Sequence, residues 1–190
     1  MTIDSSVRLE HWGSGDGDLL RRLLGVPEMT LYLGGPETPA KLAERQARYE
    51  NPATRAYRIV AEGMSEGVGW VGYWEHTKDG QDVWEVGWSV VPEFQGRGVA
   101  TSAMRLLLEM IREQPEGRRF VHAYPSVDNG ASNGVCRKLG FMLLGAYDAE
   151  YPPGNPVRLN DWRYHLFPEV ESAGQRDGRT VAYPVGESRN

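Results

Sequence analysis

The sequence predicts an α/β (α+β) domain: a mixed, mostly antiparallel sheet with helices packed against it. Three observations carry this. Helical patterns fill the first quarter of the chain. A hydrophobic period of two then takes over in three consecutive runs joined by turn signals. The second half alternates strand, helix, strand. Antiparallel strands followed by β-α-β alternation give a mixed sheet flanked by helices.

Each element has a local reason. Val7–Trp12 (VRLEHW) fits a short first strand. Asp16–Leu24 fits a helix, with Leu19, Leu20, Leu23 and Leu24 on one stripe and Gly25 as the stop. The second helix starts at Thr38 as N-cap with Pro39 in the first turn. Its face carries Leu42, Gln46 and Tyr49, and Asn51-Pro52 ends it. Ala56–Glu62, Gly67–His76 and Val83–Val91 then read as a meander, separated by the turn signals GMSEG and TKDGQD. A helix over Gly98–Glu113 points Val99, Ala103, Leu107, Met110 and Ile111 inward. A strand at Arg119–Tyr124, a helix at Asn129–Leu139 closed by Gly140, and strands at Phe141–Glu150 and Arg158–Leu166 complete the domain, set at residues 1–168. Residues 169–190 are polar and Gly-rich and are expected to form a loosely held tail.

Composition narrows the class of function. A chain of 190 residues is long enough for one domain with a real core. Its net charge of −5 argues against non-specific nucleic-acid binding, which runs on Lys/Arg–phosphate contacts. The single cysteine, Cys136, builds neither a disulfide framework nor a cysteine zinc site. His11, His76, His122 and His165 show no ligand spacing, so no metal is expected. No apolar run is long enough to cross a membrane, and the first residues lack the form of a signal peptide. The expectation is a cytoplasmic protein. Six tryptophans leave a homodimer open.

The stretch VVPEFQGRGVAT, residues Val90 to Thr101, joins a strand to a helix through two glycines one residue apart. The first turn of a helix presents unpaired N–H groups and the positive end of the helix dipole. Glycines let a phosphate approach that backbone, and Gln95 or Arg97 offers further donors. A tight turn that only packs the helix on the sheet fits the spacing equally well. A dinucleotide fingerprint is a third reading, but Thr101 stands at its last glycine and no acidic residue ends the following strand.

These residues carry a resemblance. Gln95, Gly98 and Ala100 match the Gln/Arg-x-x-Gly-x-Gly/Ala motif of the Gcn5-related N-acetyltransferase (GNAT) superfamily, and Val90-Val91-Pro92 is similar to its lead-in. Downstream, the segment from Asn129 to Phe141 resembles the family's later helix, which starts at an Asn and ends in Leu-Gly-Phe. Within the family, Glu85-Val-Gly-Trp with the glycine turn looks like the branch that includes the ribosomal-protein N-terminal acetyltransferases. The resemblance covers residues 7–167. It implies a GNAT fold of about seven strands, with the central parallel pair splayed apart.

The resemblance further implies that acetyl-CoA is the co-substrate. Its arm would lie along Trp88, Ser89, Val90 and Val91, and its pyrophosphate on the backbone of Gln95, Gly96, Arg97, Gly98, Val99, Ala100 and Thr101. Asn129 and Ser132 would face the arm. The reaction is direct acetyl transfer to an amine. An alkylamine is mostly protonated at neutral pH, so a base must remove a proton. A backbone N–H near Val90 would meet the oxyanion. Two glutamates resemble family bases: Glu85, on the strand leading to the turn, and Glu150, at the end of a later strand. A glutamate in an apolar cleft has a raised pKa, which suits a base near pH 7. Many relatives carry a Tyr acid seven residues after the Asn, but here that position is Cys136. Ser132 is the candidate acid and Tyr124 the reserve. The other reading of each is bland: an ion-paired strand residue, an N-cap, a helix-surface hydroxyl, a small core thiol.

The resemblance implies a small-molecule or peptide amine as acceptor, with the loop Tyr32–Pro39 where the family builds acceptor-side walls and Tyr151–Pro156 as a second candidate wall. A CoA-binding module without turnover and an NAD-binding oxidoreductase are the alternatives.

Overall fold

The structure is a computed structural model and describes residues 6–114 and 117–167. The expected tail at 169–190 lies outside the described residues. One sheet of seven strands, in the order β1-β2-β3-β4-β5-β7-β6, forms the frame. The strands are β1 (Val7–His11), β2 (Ala56–Ala61), β3 (Gly67–Lys78), β4 (Gln81–Val90), β5 (Phe120–Ala123), β6 (Met142–Glu150) and β7 (Pro156–His165). The helices are α1 (Gly17–Leu24), α2 (Pro39–Glu50), α3 (Val99–Arg112) and α4 (Gly130–Leu139). All neighbouring strands are antiparallel except β4 and β5. The mixed class and the splayed parallel pair are therefore as expected.

The caps behave as the sequence suggested. Thr38 accepts the N–H of Lys41 and Pro39 opens α2. Asn129 accepts the N–H of Ser132 and opens α4. Gly140 closes α4 in the left-handed conformation, and the N–H of Phe141 returns to the carbonyl of Cys136. The β3–β4 strands run further than the expected His76 and Val83. They close on the two-residue turn Asp79-Gly80, both with positive φ, the turn whose twist matches paired strands. β5 is shorter than expected, because Tyr124 leaves the ladder.

The register sorts the two faces. Trp74 lies opposite Glu85 and Trp70 opposite Ser89, so both indoles share the face of Glu85. Trp84 and Trp88 point to the other face, where Trp84 joins the buried core with Met104 and Leu107 of α3. On the Glu85 face, Trp70 stacks flat on Tyr49 of α2, centroids 5.3 Å apart. That packing places α1 and α2 over the N-terminal strands and leaves the C-terminal part of this face clear of them.

α4 is anchored by one buried amide. Asn133 donates to the carbonyls of Ser126 and Asn129, at 2.9 and 2.8 Å. Its oxygen accepts from Asn160 Nδ2 at 2.8 Å and Trp162 Nε1 at 2.7 Å. Every polar atom is satisfied, and the β5–α4 loop is thereby tied to β7. Loss of a buried partner costs about 1–3 kcal/mol for each group left unpaired. Asn133→Ala should therefore destabilise the fold by about 3 kcal/mol, read as a lower urea midpoint at unchanged m-value. An unchanged midpoint would show that the amide is not an anchor.

Candidate active site

β4 and β5 pair at only two positions, Trp84 with Val121 and Glu85 with His122. Beyond Glu85 the strands separate. β4 follows its antiparallel neighbour β3 as far as Val90 opposite Gly69. β5 follows β7, and the loop after it stays there through Asn160 N–H to Pro125 O and Val127 N–H to Arg158 O. The result is a gap bordered by the backbone of β4 from Val86 to Val90.

The glycine turn sits at the end of that gap. Gly96 and Gly98 have φ of +70° and +85°, so both need the left-handed freedom of glycine. A Cβ at Gly96 would meet nothing within 4 Å, so no packing contact explains the bare surface there. The first helical bond of α3 runs from Ser102 to Gly98, which leaves the N–H groups of its first turn without helical acceptors. This open, donor-rich helix start fits a pyrophosphate. The side chains of Val90, Val91, Val99 and Thr101 are buried in the core, and the N–H of Val91 is taken by the carbonyl of Val68. Gln95 is engaged elsewhere: its amide donates to the carbonyl of Val90 at 2.8 Å and holds the strand end.

The face beside the gap carries a polar cluster drawn from five strands. Glu85 lies 3.5 Å from His76 Nδ1 and is hydrogen-bonded by Trp74. Burial pushes its carboxyl up to about 7, with the Trp74 bond opposing. His122, 2% exposed, faces Asp161, with Nδ1 2.7 Å from Oδ1. Burial holds His122 below its usual value, against the pull of Asp161. A neutral imidazole then donates from Nδ1 to the carboxylate. The second oxygen of Asp161 lies 3.4 Å from Lys78, whose ammonium stands over the Tyr147 ring. Tyr124 packs among His122, His76 and Tyr147. Among the described residues no group of three or more His, Cys, Asp or Glu is placed to hold a metal.

The two glutamates nominated as bases sit in different surroundings. Glu85 is in the cluster. Glu150 is exposed at the end of β6, where it accepts the N–H of Gly154 at 2.9 Å and caps the next turn. Asn129 and Ser132 are joined as an N-cap at the mouth of α4. Cys136 is fully buried in the core, its thiol pushed up to about 12 by burial. The two loops nominated as walls meet each other: a Cβ on Gly34 would fall 2.2 Å from Pro152 Cδ, and Gly34 has φ of +81°. His122 was visible in the sequence only as one of four histidines without ligand spacing. Asp161, Lys78 and Tyr147 carried no signal, because their roles arise from strand order and not from spacing.

Comparison with known proteins agrees with this geometry. The family model described as "Acetyltransferase (GNAT) domain" matches residues 6–142. The chain belongs to this family. It is 30% identical over 113 residues to an L-methionine sulfoximine/L-methionine sulfone acetyltransferase of Pseudomonas aeruginosa, a match covering 57% of this chain and 64% of the relative. The chain thus spans less than two thirds of that relative's length. A GNAT-family acetyltransferase from Bacillus anthracis superposes with a TM-score of 0.72 at 18% identity, covering 87% of this chain and 99% of that one. RimL, a ribosomal L7/L12 alpha-N-protein acetyltransferase, superposes at 0.68 and 20% identity, covering 84% and 90%. A further RimL structure holds coenzyme A.

Glu85 also sets a pH signature on stability. An unfolded glutamate titrates near 4.5 and the folded one at about 7. Between these values the native state keeps a proton that the unfolded state has lost, so stability falls as pH rises. Glu85→Gln removes that penalty. Its Tm advantage over the wild type should grow from pH 4.5 to about 7 and then level off. A Tm difference independent of pH would contradict a raised carboxyl pKa at this half-buried position.

Proposed function

We propose that this protein moves an acetyl group from acetyl-CoA directly to a primary amine of a small molecule or a protein N-terminus. The observation that carries the reading is the conjunction of a split parallel pair, a bare helix start at its end, and a half-buried carboxyl at its edge. The family supports acetyl-CoA as co-substrate. Val86–Val90 would pair with its arm and the turn from Gln95 to Thr101 with its phosphates. Bound there, it supplies the activated acetyl group.

Glu85 is the base in this reading. A carboxyl near pH 7 holds a proton weakly enough to act in both directions at neutral pH. Glu150, exposed and committed to a turn, is the weaker candidate. Ser132 stands at the mouth of α4 as a candidate donor near the arm. The acceptor class stays broad. The named substrates of the relatives, a methionine analogue and a ribosomal protein, belong to those proteins. The lone buried thiol suits a reducing compartment, and we place the reaction in the cytoplasm.

The test is thiol release from acetyl-CoA across a panel of amino acids, polyamines and peptides. Glu85→Gln should lower kcat by about 10²–10³-fold, while Glu150→Gln should change it little. The wild-type kcat should rise with pH through about 7, as Glu85 ionises. Binding of CoA with no thiol release on any amine would instead identify a module without turnover. Gly34→Ala, which pushes the two loops apart, should raise the acceptor KM and leave acetyl-CoA affinity alone. A fall in acetyl-CoA affinity would place those loops on the donor side instead.

A further inference from the structure

The hydroxyl of Tyr124 is buried and makes no hydrogen bond among the described residues. Such an orphan is costly to bury, a cost that a ligand offsets when it supplies the partner. The position is specific. Tyr124 is the first residue after β5, two beyond His122, the last β5 residue paired with β4. Alternation puts it on the face of His122 and Glu85, at the mouth of the gap. Its ring is held by three others: His122 stacked at 5.8 Å, and His76 and Tyr147 edge-on at 5.7 and 6.0 Å. His122 is itself fixed by Asp161. A ring gripped in this way aims its hydroxyl without paying for the order at the moment of reaction.

We propose that Tyr124 is a further catalytic residue, a fixed hydrogen-bond donor to the thioester sulfur, in the place left open by Cys136. The assignment rests on the acetyl-transfer reading. Glu85 takes a proton from the amine nitrogen as the N–C bond forms. The C–S bond breaks and its electron pair goes to sulfur, where the Tyr124 O–H meets the growing charge. Tyr124 keeps its proton. Burial first, then Asp161, Tyr147, Glu85 and Asp79, hold the phenol above its usual value. Sulfur leaves as the thiolate and takes a proton from water.

The experiment pairs binding with turnover. The dissociation constants of CoA and of desulfo-CoA are measured by calorimetry for wild type and Tyr124→Phe, alongside kcat and Tm. Tyr124→Phe should weaken CoA by about three- to tenfold, the size of one neutral hydrogen bond, and leave desulfo-CoA unchanged. Its kcat should fall about 10²-fold, with Tm unchanged or higher, because the deleted hydroxyl had no partner. Equal affinities of both ligands for both proteins, an unchanged kcat, or a clear drop in Tm would overturn the assignment and leave the acetyltransferase reading standing. A sulfur-specific loss in a wild type that turns over no amine would overturn the catalytic role. A wild type that binds neither CoA nor acetyl-CoA would overturn both readings.

Discussion

The parallel ladder between β4 and β5 stops after Glu85 and His122, and the rest of the site depends on that break. Each strand is held more firmly by its antiparallel neighbour than by the other. At Gly69 the backbones of β3 and β4 come so close that a Cβ would lie 2.5 Å from the carbonyl of Ser89. Any larger residue there would push β4 away from β3. On the far side, β7 holds β5 and the loop after it, with Asn133 as the pin. The strands diverge because their partners do. The gap exposes backbone that would otherwise be paired, which is the one kind of surface able to bind an extended amide-bearing arm by main-chain hydrogen bonds.

The same divergence organises the charges. Glu85, His122, Asp161 and Lys78 share one face at the last paired positions of β4 and β5. Lys78 of β3 reaches Asp161 of β7 across these positions, and the strands part only beyond them. Asp161 is saturated by His122 and Lys78. Glu85 has the neutral Trp74 and a longer contact to His76. Compensation is thus uneven: Asp161 has the ammonium of Lys78 and the N–H of His122, while Glu85 has no strong cation beside it. Burial without a strong cation partner is the condition that brings a carboxyl toward neutral pH.

Much of the candidate site was legible in the chain because it is written in local geometry. Gly96 and Gly98 mark a turn that no other residue adopts cheaply. Asn129 marks a helix start, and Glu85 is legible as a family position on the strand before the turn. The competition between Glu85 and Glu150 was not legible. Both end or follow apolar runs, and only their burial separates them. Gln95 shows the limit in another way, since a side chain read as a donor for a ligand also serves to hold the carbonyl of Val90.

The sequence by itself determined the elements, their caps, the mixed sheet and the bare helix start, because each follows from spacing or from a φ that a single residue type permits. It also determined the family, because the glycine turn and the Asn129-to-Phe141 helix lie in order on the right elements. Tertiary structure alone decided which charges meet. Lys78, Glu85, His122, Tyr147 and Asp161 come from five strands separated by as many as 83 residues, from 78 to 161. Their pairing depends on the strand order β3-β4-β5-β7-β6. Strand order is set by which faces and edges bury best across the whole chain, so no local pattern records it. The hydroxyl of Tyr124, without a hydrogen-bond partner among the described residues, belongs to the same class: a hydrogen bond that is not made can be seen only once its neighbours are in place.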